Sequence, residues 1–415
     1  MMSHRLGMTG HRLGMTAPLS DSSLLLSRQS VQSCDQTTFA SIFYCINHRD
    51  LCKVLLKSCI FAPEFLQGWA AARQNGRCVI MANLLRYHRI RAWSCTSRRA
   101  IIVLPYFLNT HAMQPLRSFD DLTSLLKRST RRVSLAVVCG SDEGASRAAV
   151  KAVEEGFASV VFVGHTDEVH ALPWVENAPK EFVEFLSACD DAEAATKAVK
   201  LVRERKCEVL VKGLLHTATL LRAVLNKECG LLADHGVLTH VAMAEIPGRE
   251  KLLCFTDAAV IPYPTQAQRL VQVEVLTKVI RALGTPVPRI SLLHCAETVS
   301  DKFPHTLGYG EIKELAAQGR WGEVLVDGPL DLRTSLDAAV LKIKGIHSCL
   351  EGDADGLVLP DLESANLLYK ALPLFCGARE AGILQGTTAP VVLPSRGDSW
   401  QDKFLSIAMA VMSLN

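Results

Sequence analysis

The chain has 415 residues, enough for two or three domains at roughly 150 residues each. Hydrophobic residues make up 49% and charged residues 21%, so a large core can be buried and wholesale disorder is excluded. A formal net charge of +3 argues against nucleic-acid binding on charge alone, and no apolar run reaches the roughly 18 residues of a membrane span.

The first segment differs in kind from the rest. Residues 1–112 carry 13 Lys+Arg and 4 Asp+Glu, a net of +9, whereas residues 113–415 carry 32 and 38, a net of −6. The first segment also repeats His-Arg-Leu-Gly-Met-Thr at 4–9 and 11–16, too short a unit for a solenoid. Its leucine triplet at 24–26 is too brief for a secretory h-region. It holds Cys34, Cys45, Cys52, Cys59, Cys78 and Cys95 with no Cys-x-x-Cys pair, so zinc is not expected. Residues 1–112 are therefore expected to be a basic, cysteine-rich extension separate from the rest of the chain. Two origins stay open: a misplaced start ahead of Met113, or an arginine-rich, acid-poor organelle leader.

From residue 134 the text alternates between two hydrophobic periods. The run 134–140 reads as a buried strand ending at glycine. Residues 141–156 follow at helical spacing, with Asp142 and Glu143 near the N-terminus, where the helix dipole favours negative charge. A strand is predicted over 158–164, a helix near 192–205 and a strand over 208–213. Such alternation implies a parallel sheet wrapped by helices. The pattern changes at 240–259, where two apolar runs are separated only by Pro-Gly-Arg-Glu-Lys, which predicts an antiparallel hairpin. A long helix over about 266–283 leads to a strand at 290–295. Further βα units are predicted with strands at 323–327, 356–359, 382–386 and 391–393, and a last helix starts near Ser399. This much sequence exceeds one α/β core, so two α/β lobes with a cleft between them are expected. The cysteines of this part, among them Cys139, Cys254, Cys295 and Cys376, fall in apolar runs and are expected to be buried small hydrophobes in a reducing cytoplasm.

No nucleotide fingerprint is present: Gly308-Tyr309-Gly310 would need glycine where Lys313 stands, and there is no P-loop. Asp353 and Asp355 suit either a hard cation or a solvated turn. Two stretches are more pointed. In Lys212–Asn226 a strand ends at Gly213, Thr217 can open a helix, and Arg222 lies on it, beside N-terminal amides that attract anions. In Pro394–Lys403, between a strand and a helix, a hydroxyl, a guanidinium and two carboxylates fall within nine residues, where an α/β fold puts its ligand. A surface arginine and an ordinary helix N-cap explain the same residues in bland terms.

Residues 113–415 resemble the phosphate acetyltransferase and butyryltransferase family, most closely its butyryl branch. The matching blocks, in order, are LVKGLLHTATLLRAVLNKECG, FTDAAVIPYP, VDGPL, GDADGLVLPDLESANLLYKAL and APVVLPSRGDS. The resemblance implies a two-lobed α/β/α fold of the isocitrate/isopropylmalate dehydrogenase-like type, with the active site in the interdomain cleft. One lobe would span about 113–258 plus 385–415, the other about 259–384. It also implies a cytoplasmic homodimer with small-molecule substrates, acyl-CoA and phosphate, which it converts to acyl phosphate and coenzyme A. No bound metal or other cofactor, covalent intermediate, nucleic acid or membrane is implied.

That chemistry needs a carboxylate to take the thiol proton, donors for the acyl oxygen, and arginine forks for phosphate. Carried over from the family, Ser395, Arg396 and Arg222 supply the donors and forks. The base is Asp402, seven positions beyond the motif serine as in acetyl-type relatives, or Asp398, three positions beyond as in butyryl-type ones. This chain carries both, and Asp402 is placed ahead, the other serving as a cap of the last helix. Competing expectations are a metal- and NAD(P)-dependent hydroxyacid dehydrogenase of the same fold and a non-catalytic paralogue that binds coenzyme A or acyl phosphate.

Overall fold

A computed structural model describes residues 69–74, 77–82, 114–232 and 236–414. By internal contacts the chain divides into units 1–108 and 109–415. In the first unit β1 (Trp69–Gln74) and β2 (Arg77–Ala82) pair antiparallel. Apart from these two strands, the extension expected over residues 1–112 lies outside the described residues.

The second unit is built on one sheet of eleven strands. In chain order its main elements are α1 (Phe119–Lys127), β3 (Val133–Val138), α2 (Glu143–Glu154), β4 (Ala158–Gly164), β5 (Val183–Ser187), α3 (Asp191–Arg203), β6 (Val209–Lys212) and α4 (Thr217–Val224). Then come β7 (Thr239–Glu245), β8 (Leu253–Thr256), α5 (Gln266–Ala282), β9 (Arg289–Leu293), α6 (Tyr309–Ala317), β10 (Leu325–Leu330) and β11 (Gly356–Val358). The chain closes with α7 (Leu362–Cys376), β12 (Arg379–Gln385), β13 (Val391–Val392) and α8 (Trp400–Met412). The strand order is β10-β9-β11-β8-β7-β12-β13-β6-β3-β4-β5.

Strand periodicity places two cores on the two faces of this sheet. Leu135 and Val137 of β3 join a cluster with helices α1, α2, α5, α6 and α8. The alternate residues Ala136 and Val138 join another, with α3 and α4. On β7, Val241 and Met243 belong to the first cluster, while Ala242 and Ala244 pack with α7. Buried on both faces, the strands read as the near-continuous apolar runs seen in the sequence.

The 158–164 strand and the antiparallel 240–259 hairpin are found, as β4 and the β7–β8 pair. Three expectations need correction. Strand β5 was not predicted; it is the sheet edge, and with Glu184 and Ser187 exposed it lacks the apolar run of a buried strand. Strand β12 is not a parallel βα strand but pairs antiparallel with both β7 and β13. Local sequence does not encode direction, because the same buried apolar run serves either pairing. Of the eight cysteines in this unit, all free, Cys139, Cys207 and Cys254 are buried, but Cys295 and Cys376 are exposed. Each of those two lies just beyond an apolar run, Cys295 after Leu293 and His294 and Cys376 after Leu374 and Phe375.

Candidate active site

Three connections leave the sheet side by side. Val392 of β13 pairs with Val211 of β6, and Val138 of β3 pairs with Lys212, all in parallel register. The segments following residues 392, 212 and 138 therefore emerge at one sheet edge, where α/β folds hold ligands. Glycine at 213 is required there, because a Cβ would run into the carbonyl oxygens of Val138 and Cys139.

This edge brings together the two stretches singled out in the sequence. Helix α4 opens at Thr217, and its N-cap residue, His216, makes no side-chain cap hydrogen bond. The first backbone N–H groups of α4 are thus available to an anion. The Arg396 guanidinium donates to Nδ1 of His216 over 3.3 Å, which fixes the Ser-Arg loop to that helix start. Ser395 and Arg396 are both exposed. The loop is shaped by Asp398, whose Oδ2 accepts the Ser395 N–H at 2.7 Å, and by the Ser395 hydroxyl, which accepts the Gly397 N–H at 3.4 Å.

The two candidate bases have different local partners. Asp402 is the third residue of α8 and forms a capping box with Ser399: its Oδ2 accepts the Ser399 hydroxyl at 2.6 Å and the Ser399 N–H at 3.2 Å. Asp398 is held above the usual carboxylate range, chiefly by burial and further by the Asp402 charge. Both line a cleft of 230 Å³ with Tyr369 and Lys370 of α7 and Glu380 of β12. Glu380 is 5% exposed, and its Oε1 has no hydrogen-bond partner among the described residues. Burial, with Asp398 and Asp402 nearby, raises it to about 8.

Arg222 stands apart. It lies in the last turn of α4, exposed, and among the described residues it makes no hydrogen bond or ion pair. The structure thus joins Ser395, Arg396, Asp398 and Asp402 in one loop and helix start, and sets Arg222 two turns along the helix that Arg396 touches.

Sequence reasoning missed three buried charges at this edge. Lys212 is 3% exposed, Lys403 of α8 is 6% exposed, and Glu380 is the third. Lys403 pairs with Asp142 at 3.4 Å, and Asp142 caps α2 by accepting the Ala145 N–H at 3.0 Å. The available signal was a charged residue closing an apolar strand, as in Val-Leu-Val-Lys at 209–212.

Asp353 and Asp355 lie elsewhere and are committed to cations already present. Asp355 accepts from Lys251 Nζ at 2.5 Å and from the Arg289 N–H at 2.8 Å, and Asp353 pairs with Lys251 at 2.8 Å. Among the described residues no group of three or more His, Cys, Asp or Glu side chains is arranged to hold a metal ion. Also among them, no helix is long and apolar enough to cross a membrane.

The family model described as "Phosphate acetyl/butaryl transferase" matches residues 181–411. The chain is 35% identical over 297 residues to phosphate butyryltransferase of Clostridium beijerinckii, covering 71% of this chain and 97% of that one. It is 31% identical to phosphate acetyltransferase of Thermotoga maritima, covering 67% and 94%. Among solved structures, a branched-chain phosphotransacylase from Enterococcus faecalis superposes with a TM-score of 0.60 at 31% identity, over 68% of this chain and 99% of that one. The family match over more than half of the chain and relatives at more than 30% identity agree: the chain belongs to the phosphate acetyl/butyryl transferase family.

Proposed function

We propose that the protein is a phosphate acyltransferase that interconverts a short-chain acyl-CoA, butyryl or acetyl, plus phosphate with an acyl phosphate plus coenzyme A, by direct transfer. The observation that carries this reading is the meeting of Ser395-Arg396 with the uncapped start of α4. An uncapped helix start and a guanidinium together make an anion site.

In the direction of acyl-CoA formation, the carboxylate of Asp402 takes the thiol proton. The thiolate sulfur attacks the acyl carbon, and the acyl carbon–oxygen bond to phosphate breaks. Phosphate leaves with that electron pair, and the proton passes on to solvent. Ser395 donates to the acyl oxygen as its charge grows, while Arg396 and Arg222 hold phosphate. Asp398 is the alternative base, since it lines the same cleft.

The proposal includes turnover without a bound metal or other cofactor. It also includes a two-lobed fold of the isocitrate/isopropylmalate dehydrogenase-like type, supported by the reversal of strand direction around β7 and β12. The lobes would span about 113–258 plus 385–415 and about 259–384, with residues 1–112 outside the catalytic unit. A homodimer fits the apolar residues that α7 exposes, and a reducing cytoplasm fits the free cysteines of the described unit.

The test is a panel from acetyl-CoA to hexanoyl-CoA with phosphate, following thiol release. Phosphate-dependent release with a preference at four carbons is expected. Measurable coenzyme A binding without turnover would instead establish the non-catalytic reading, and reduction of a nicotinamide cofactor the dehydrogenase one.

A further inference from the structure

A buried ammonium is costly unless it is paired. Lys212 closes β6 and is 3% exposed, yet its ammonium makes a single hydrogen bond, to the carbonyl of Gly213 at 3.1 Å. Among the described residues it has no ion-pair partner. A lysine head has three donors, so two of them have no protein acceptor there. Asp142 does not pair with it: one carboxylate oxygen, Oδ2, caps α2 and meets Lys403, and the other, Oδ1, is buried without a hydrogen-bond partner among the described residues.

The surroundings define what such a group can serve. The charges acting on Lys212 are Arg396, Asp142, Lys403 and Asp398. Three cations therefore face two carboxylates, an excess of one positive charge beside the open start of α4. Burial, with Arg396 next in effect, lowers the Lys212 ammonium from its usual lysine range. An anion arriving at this edge would relieve both influences.

We propose that Lys212 donates directly to the phosphoryl oxygens of the substrate, as a further cation beside Arg396, and is a catalytic residue of the transfer. This rests on the phosphate acyltransferase reading. As the acyl carbon–oxygen bond breaks, negative charge accumulates on the departing phosphate, and a fixed ammonium at the strand end stabilises it without reorganisation. Arg396 is exposed and bonded to His216, the N-cap residue of α4, whereas Lys212 is held by the sheet itself. The two cations would then divide the task, with the guanidinium capturing the anion and the ammonium fixing its depth.

The decisive comparison is the full-length Lys212→Met variant against wild type, in two measurements. The first is binding of inorganic phosphate, read as its effect on the unfolding temperature and by calorimetry. The second is the KM for phosphate against the KM for acyl-CoA. Loss of a charge-assisted hydrogen bond should weaken phosphate binding roughly ten- to hundredfold and leave the KM for acyl-CoA within about twofold. Phosphate binding unchanged in a folded Lys212→Met protein would overturn the proposal, as would a wild-type protein that binds no phosphate. If the methionine variant does not fold, Lys212→Gln, which keeps a polar head at that depth, gives the same two readings. The binding measurement needs no turnover. A wild type that binds phosphate through Lys212 but transfers no acyl group would sink the functional reading and with it the catalytic role, leaving only the phosphate contact of Lys212 standing.

Discussion

At the scale of single residues, the Ser-Arg loop makes the sharpest predictions. Arg396→Gln removes charge-assisted hydrogen bonds worth about 1.5–3 kcal/mol each, so kcat/KM should fall by roughly one to two orders of magnitude. Arg396→Lys should recover only part of this, because the charge returns without the fork. Thiol-release kinetics on folded variants decide it, and a variant within twofold of wild type would remove Arg396 from the mechanism. The two carboxylates separate by pH. If Asp402 is the base, Asp402→Asn slows turnover at neutral pH and the defect shrinks toward the thiol pKa, about 8.5. The same rescue in Asp398→Asn alone would move the role there. Glu380 gives a stability prediction of definite sign. Its folded value of about 8 lies above the ordinary 4.5, so between these the native state keeps a proton that the unfolded chain has released. Wild type should therefore lose stability as pH rises through that window, then level off. Glu380→Gln lacks this decline, so its advantage over wild type should grow between pH 5 and 8, on the order of 2–3 kcal/mol. Parallel denaturation curves at the two pH values would show that Glu380 is ionised in the fold.

At the scale of elements, β12 is the strand whose neighbours matter most. Its partner β13 has only two residues, so the ladder on that side is short. The Gly382 N–H instead donates to the Ser406 hydroxyl of α8 at 3.0 Å. That hydroxyl in turn donates to the Asp402 carbonyl at 2.9 Å, which links β12 to the first turn of α8. On the other side Gly382 faces His240, where an added Cβ would come 2.5 Å from the ring Nε2. Gly382→Ala should therefore cost about 1–3 kcal/mol through overpacking. Ser406→Ala should cost a similar amount by leaving a buried N–H unpaired. Urea denaturation measures both. A neutral Gly382→Ala would mean that the His240 ring can move aside, which its burial on β7 opposes. The capping box of α8 was partly legible, because Ser-x-x-Asp before an apolar run signals a helix start. The role of Ser406 was not, since it depends on how short β13 is.

At the scale of the whole molecule, α7 presents Leu367, Leu374 and Phe375, which are 71%, 74% and 79% exposed. The spacing of 367 and 374 puts them on one helix face, and an apolar stripe of this kind marks an association surface. If this face builds the dimer, Leu374→Asp with Phe375→Asp should yield a monomer by light scattering with native circular dichroism. A variant that stays dimeric would assign the contact elsewhere. A chain beginning at Met113 is expected to fold and to keep full activity, and loss of either would bring residues 1–112 into the enzyme. Turnover should also persist in excess chelator, since cationic side chains and helix starts are proposed to hold phosphate here.

The sequence by itself determined the alternation of buried strands and helices, because residue periodicity follows from backbone geometry and needs no knowledge of neighbours. It also singled out Ser395, Arg396 and the two aspartates as candidates, since they fall within eight consecutive residues. Only the tertiary structure decided which way β12 runs, because an apolar strand pairs equally well in either direction. The same holds for the charges at the candidate edge. Lys212 ends β6, Asp142 caps α2, Glu380 opens β12 and Lys403 sits on α8, separated by up to 261 positions. Their coupling arises from sheet order and strand register, and neither quantity is local in the chain.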